Sequence, residues 1–374
     1  MRVVYLTTES YFREPIIKSQ VEPLLNYLSK DNFDFILVTF ERNVGFSDNL
    51  LFTHKQLKFT SHLLNMIVLI YYAFKISNKN DVIHVRSYPP MLAALLLRLF
   101  KGNKVIFDPR GLWPEEMSYT VKRPLITFLF KCLENLFCRY SSKIVLVSKA
   151  FENLFIERYP CYKSKFIVVP TFSLPLNFVF DNTKIDIKRQ IFKNEDIVLF
   201  VYSGSFETWQ KIDKVVEYFQ FLELNVENSR FLFLTKSKEL FDKYLNDKLS
   251  RNRFYIYSAN QKDIGLYLSQ CDYGIIFRDK HIINIVSAPI KIKDYLTANL
   301  RVLLSDNIGD SSDLVAQNQL GFVFRDYSKE SMISSLEYIN SINHKEIYQT
   351  NSNILDVFSL KFIASQYKII YNEM

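Results

Sequence analysis

The chain has 374 residues, and at roughly 100–200 residues per domain this length points to two domains. Apolar residues make up 48% and charged residues 23%, with only 8 Gly and 11 Pro, which excludes disordered, fibrous and low-complexity chains. The net charge of +8 is unevenly placed, because residues 1–172 hold 23 Lys+Arg against 14 Asp+Glu and residues 173–374 hold 24 against 25. A basic first half suits a phosphorylated substrate or an anionic membrane surface, or is simply a Lys-rich solvated face. Nucleic acid is the weakest partner, since no zinc finger, RNA-binding motif or basic run longer than two residues occurs.

The four cysteines, Cys132, Cys138, Cys161 and Cys271, have no CxxC spacing and no His partner at zinc-finger spacing. They read as reduced, buried thiols of a cytosolic protein. The N-terminus reads as a strand and not as a signal peptide. The longest apolar run, Leu63 to Phe74, is too short to cross a bilayer, which needs about 20 residues, and a soluble chain is expected.

Strands and helices alternate along the chain. Strands are expected at residues 3–6, 34–40, 81–85, 104–107, 143–147 and 167–169, with helices at 16–30 and 124–139 among those between them. Continuous apolar runs such as Phe35-Ile36-Leu37-Val38 suit a parallel sheet buried on both faces. Pro170 and Pro175 mark a stiff linker. The alternation then restarts, with strands expected at 197–202, 230–234, 254–257, 273–277 and 302–304 and a helix at 212–222. Two doubly wound α/β halves follow, and ligands of such sheets bind outside the carboxyl ends of the strands.

No dinucleotide fingerprint, P-loop, HExxH, GxSxG or Asp-x-Asp is present, and the five histidines lack ligand spacing, so no metal site is expected. Four segments remain. Residues 81–90 and 105–116 each run from an apolar strand into a charged loop. The first carries Arg86, and the second carries Asp108, Arg110, Glu115 and Glu116. An Asp108–Arg110 ion pair that only shapes the loop is the plain alternative. Residues 201–211 place Gly204 and Ser205 after a strand, where backbone N–H groups can face a phosphate and Lys211 can add charge. Pro289 opens a helix that sets Lys291 and Asp294 three residues apart on one face, a spacing that a surface salt bridge would also produce.

These pieces, in this order, resemble the bacterial family 4-like glycosyltransferases of the GT-B fold. Residues 143–149 and 272–277 resemble two of the family's strands. Pro289 to Leu296 resembles its "P-x-K-x-x-E-Y-L" helix, and Ser359 onward resembles the terminal helix that crosses back to the first domain. The resemblance implies two Rossmann-like domains facing an interdomain cleft. Residues 1–172, with a helix at about 359–374 packing back, would bind the acceptor, and residues 173–358 would bind a nucleotide sugar. It implies a donor site at Gly204, Ser205, Lys211, Ser258, Asn260, Ser287, Lys291 and Asp294. It puts catalysis on Asp108 with Arg110, Glu115, Glu116 and Arg86, and acceptor contacts on Glu9, Ser10 and Gln20.

The implied reaction is transfer from a nucleotide sugar to a growing surface polysaccharide or lipid-diphosphate-linked oligosaccharide, with retention, without a metal and without a cofactor. The implied location is cytoplasmic, peripheral at the inner face of the cytoplasmic membrane. The family's paired glutamates are incomplete, because Asp294 takes the second place and Val286 the first. The arginine that often follows the Gly204 position is Ser205 here. A non-catalytic sugar-nucleotide-binding partner and a sugar-nucleotide 2-epimerase are the alternatives. Donor hydrolysis separates a transferase from a binder, and the few histidines disfavour an epimerase.

Overall fold

The computed structural model describes the whole chain except residues 44, 47–48, 122–123, 175–184, 259–262 and 343–351. The chain packs as two units, Met1–Phe172 with Ser359–Met374, and Ser173–Phe358.

The first unit is built on a parallel sheet of seven strands: β1 (Arg2–Leu6), β2 (Asp34–Glu41), β3 (Thr53–Lys58), β4 (Val82–Arg86), β5 (Lys104–Asp108), β6 (Lys143–Leu146) and β7 (Phe166–Val168). Their order is β3-β2-β1-β4-β5-β6-β7. Val3, Val4, Leu37, Val38, Ile83 and Ile106 are wholly buried, as continuous apolar strands covered on both faces should be. The final helix, Leu360–Asn372, is capped by Ser359 and buries Tyr367 and Tyr371 in this unit. The Tyr371 hydroxyl reaches His84 Nδ1 at 2.6 Å.

The second unit repeats the plan with β8 (Val198–Ser203), β9 (Ser229–Leu234), β10 (Phe254–Tyr257), β11 (Tyr273–Ile276), β12 (Arg301–Ser305) and β13 (Gly321–Phe324), ordered β10-β9-β8-β11-β12-β13. Its core is rich in stacked aromatics, with Phe219 against Phe231 at 4.3 Å and Phe200 against Tyr273 at 5.0 Å. In each sheet the strand order reverses once, between β1 and β4 and between β8 and β11. At such a reversal the connections leave to opposite faces and open a crevice at the carboxyl ends.

Two strands lie outside the sequence expectations. β3 reads THKQLK, too polar to stand out, because it is a half-exposed edge strand. β13 reads GFVF, only four residues and half-buried over the first three, too short to stand out as a strand. One further expectation, of four buried thiols, is corrected. Cys132 and Cys161 are exposed, whereas Cys138 and Cys271 are buried. Among the described residues no helix is long and apolar enough to cross a membrane.

Candidate functional site

In the second unit the reversal point lies between the ends of β8 and β11. β8 ends at Ser203, and Gly204 and Ser205 follow it. β11 ends at Ile276, and Phe277 and Arg278 follow it. The helix Ile290–Thr297, between β11 and β12, contributes Lys291 and Asp294. Lys291 Nζ donates to Gln210 Oε1 at 3.0 Å and lies 5.6 Å from the centre of the Tyr202 ring. A Cβ on Gly204 would collide with this ammonium, so the glycine makes room for it.

Burial and the neighbouring Arg278 bring the Lys291 ammonium down to about 7, against a partial upward pull from Asp294. Arg278 donates from Nη1 to Asn284 Oδ1 at 3.1 Å, and its buried Nε has no partner. Burial lowers the guanidinium's pKa as well. Two desolvated cations thus stand near each other with neutral hydrogen-bond partners. The Asp294 carboxyl accepts from Ser173 Oγ at 2.6 Å, and burial raises it to about 6.

Other expected donor residues are placed differently. Lys211 Nζ pairs with Asp279 at 2.8 Å, so a local acid already meets its charge. The Gly204 N–H donates to Leu234 O and the Ser203 N–H to Tyr295 OH, which removes two donors from the expected phosphate turn. The helix Ile212–Asn225 does not follow the glycine directly, because a short 3₁₀ turn, Thr208–Gln210, intervenes. Ser205 is exposed at the rim, and Ser287 Oγ bonds the Asn284 carbonyl. Ser258 is exposed beyond β10, and Asn260 lies outside the described residues. Val286 is a buried apolar residue where the resemblance has a glutamate.

In the first unit a small pocket is lined by Tyr5, Gln20, Arg86, Asp108, Arg110 and Tyr367, among others. β4 and β5 pair Arg86 with Asp108, and each strand is followed closely by a left-handed residue, Ser87 (φ 71°) and Arg110 (φ 64°). Non-glycine residues in this conformation cost on the order of 1–3 kcal/mol each, and such strain concentrates at functional loops.

Asp108 is buried, with Oδ2 3.4 Å from Arg110 Nη1 and 3.8 Å from His84 Nε2. Burial alone would raise its pKa, but Arg110, His84 and Arg86 outweigh burial and hold the carboxyl below the usual range. The Asp108–Arg110 pair that the sequence allowed as a loop-shaping contact is therefore present. Arg86 Nε donates to Glu9 Oε2 at 3.1 Å across the reversal point. Gln20 Nε2 donates to Phe172 O at 2.9 Å. Three buried polar atoms here have no hydrogen-bond partner: Asp108 Oδ1, His84 Nε2 and Gln20 Oε1.

The remaining candidates lie apart from this pocket's lining. Glu115 pairs with Arg158 at 2.8 Å and Lys131 at 3.2 Å, in a group that includes Glu134. Glu116 sits against Gly111, and burial followed by Glu115 raises its pKa. Ser10 donates to Glu41 at 2.5 Å. Two residues escaped the sequence reading. His84 sits at an ordinary apolar strand position, so nothing in its neighbours marks it. Arg278 follows a strand at the same kind of place as Gly204, and that signal could have found it.

Residues 19–172 match the family model described as Glycosyltransferase Family 4. The match lies within the first unit and covers less than half of the chain. Sucrose-phosphate synthase from Thermosynechococcus elongatus matches at TM-score 0.75 and 11% identity, over 100% of this chain and 98% of that one. A glycosyltransferase from Rickettsia africae matches at TM-score 0.72 and 15% identity, over 100% and 98%. Anabaena HepE, solved in complex with UDP-glucose, matches at TM-score 0.70 and 13% identity, over 100% of both chains. These likenesses show the GT-B fold. No curated protein matches the sequence.

Proposed function

We propose that the chain is a glycosyltransferase that moves a sugar from a nucleotide-sugar donor, held by residues 173–358, to a saccharide acceptor held by residues 1–172. The observation that carries the donor reading is the cation pair Arg278 and Lys291 at the reversal point of the second sheet. Each is desolvated, and their hydrogen-bond partners are the neutral amides of Asn284 and Gln210. A diphosphate supplies the missing negative charge. The same two cations would stabilise the charge that grows on the leaving diphosphate, the work a divalent metal does elsewhere. This supports metal-independent transfer. Asp294, which accepts from Ser173, would use its remaining acceptor capacity for a donor hydroxyl. HepE's complex with UDP-glucose supports a nucleotide diphosphate sugar as donor class.

On the acceptor side, Asp108 is the group proposed to orient or deprotonate the acceptor, with Arg86 and Arg110 keeping it ionised. The unpartnered Asp108 Oδ1 and Gln20 Oε1 can each accept a hydrogen bond of the kind that the hydroxyls of a saccharide would supply. The net charge of residues 1–172 supports an acceptor that carries phosphate, such as a lipid-diphosphate-linked oligosaccharide. Retention at the anomeric centre is proposed from the family resemblance alone. The reading is tested by incubating the full chain with nucleotide sugars in excess EDTA and following the released diphosphate and the anomeric signal by NMR. Slow release with the starting configuration retained is expected. No release from any nucleotide sugar, or release only with magnesium, overturns it.

A further inference from the structure

Helix His62–Ile76 is apolar on both sides. It buries Asn65, Leu69 and Ala73, yet Leu63, Leu64, Ile67, Val68 and Tyr71 are 39–75% exposed. Positions 64, 67, 68 and 71 fall on one stripe at helical spacing. The neighbouring helix Met91–Lys101 adds Phe100, 76% exposed, whose ring lies 6.3 Å from Phe74. A contiguous exposed apolar stripe of this kind marks a docking surface.

Charge selects the occupant. Between residues 49 and 107 there are eight Lys+Arg and one acid, Asp81. Asp81 is buried and sits 3.5 Å from Arg2, so it adds no negative charge to the surface. Lys55, Lys58, Lys75, Lys79 and Lys104 are exposed. Lys75 lies one turn beyond Tyr71 on the same stripe. Lys101 Nζ bonds the Phe74 and Ser77 carbonyls at the end of the helix, which adds a further cation there. An apolar stripe bordered by cations, with no exposed acid in the segment, fits acyl chains below anionic headgroups.

We propose that helix His62–Ile76 lies flat in the interface of an anionic bilayer, with Leu64, Ile67 and Tyr71 among the acyl chains and Lys58, Lys75 and Lys79 at the headgroup phosphates. This stands independently of the identity of donor and acceptor. The test is sedimentation of the full chain with phosphatidylcholine vesicles with and without phosphatidylglycerol, at low and high salt. Two variants accompany it, Leu64→Gln/Ile67→Gln/Tyr71→Ser and Lys58→Glu/Lys75→Glu/Lys79→Glu. All six positions are exposed, and thermal melting checks that both variants fold.

Wild type is expected to bind only the phosphatidylglycerol vesicles, more weakly in high salt, and each variant is expected to lose roughly tenfold or more. Three results overturn the proposal. They are no vesicle binding by wild type, binding equal in both variants, and concentration-dependent self-association abolished by the apolar variant, which gives the stripe to a second copy of the chain.

Discussion

Lys291 and Gln210, 81 residues apart in sequence, meet at 3.0 Å over the Gly204 turn. The amide oxygen is a neutral partner, so the ammonium keeps an unmet demand for negative charge. Burial and Arg278 place its pKa at about 7. A bound diphosphate favours the charged form and raises that value. Binding therefore takes up protons, and affinity is expected to fall as pH rises from about 7, by up to tenfold per unit. The phosphate groups do not mask this, since they are fully ionised above their own pKa near 6. Titration calorimetry in buffers of different ionisation heat checks the proton uptake. Affinity that is flat between neutral and alkaline pH counts against Lys291 as a diphosphate ligand.

Lys291 also lowers stability. Its folded pKa is depressed from 10.5 to about 7, so the unfolded chain binds more protons between these values and stability rises with pH across that window. Replacing the ammonium with an apolar group of similar length removes a desolvated charge. Lys291→Met is expected to melt higher at pH 7, by about 1–4 kcal/mol of stability, while binding nucleotide less tightly. A Lys291→Met protein that melts lower would show the ammonium to be a net structural asset.

Arg278 and Lys211 should differ sharply. Lys211 is paired with Asp279 at 2.8 Å, whereas Arg278 is held by the amide of Asn284. Loss of a charge-assisted bond costs about 1.5–3 kcal/mol, so Arg278→Ala should weaken nucleoside diphosphate binding roughly 10- to 100-fold. Lys211→Ala should change it by less than about fivefold. The reverse ranking would return the diphosphate contact to Lys211.

Asp108→Asn addresses the first unit. Its carboxylate is buried beside Arg110 and His84, and the amide keeps the shape but not the charge. Transfer should fall roughly 10²-fold or more, as for loss of an acid–base group, with diphosphate affinity unchanged because that site lies in the other unit. Some loss of melting temperature is expected, since Arg110 loses its counter-charge. Near-normal turnover in this variant would leave the Asp108–Arg110 pair a purely structural feature.

Much of the fold was legible because buried parallel strands write themselves as unbroken apolar runs. Asp34–Glu41 and Val198–Ser203 are examples. Thr53–Lys58 was not legible, because a half-exposed edge strand alternates weakly and every residue of this one but Leu57 is polar, as in a loop. The site was legible only in part. Gly204, Lys291 and Asp294 announce themselves by turn and helix-start chemistry. Whether a charged group is free or partnered depends on residues far away in sequence, as Lys211 with Asp279 and Asp108 with His84 demonstrate. No local pattern reports those pairings.

The central claim is that residues 173–358 hold a nucleoside diphosphate on the Arg278–Lys291 pair. Thermal melting of the full chain against a panel of nucleoside diphosphates, for wild type and for Arg278→Ala/Lys291→Ala, tests it most directly. One nucleotide is expected to stabilise wild type, by about 2.7 kcal/mol at a hundred times its dissociation constant, and to leave the double variant unshifted. No stabilisation by any nucleotide, or equal stabilisation of both proteins, contradicts it.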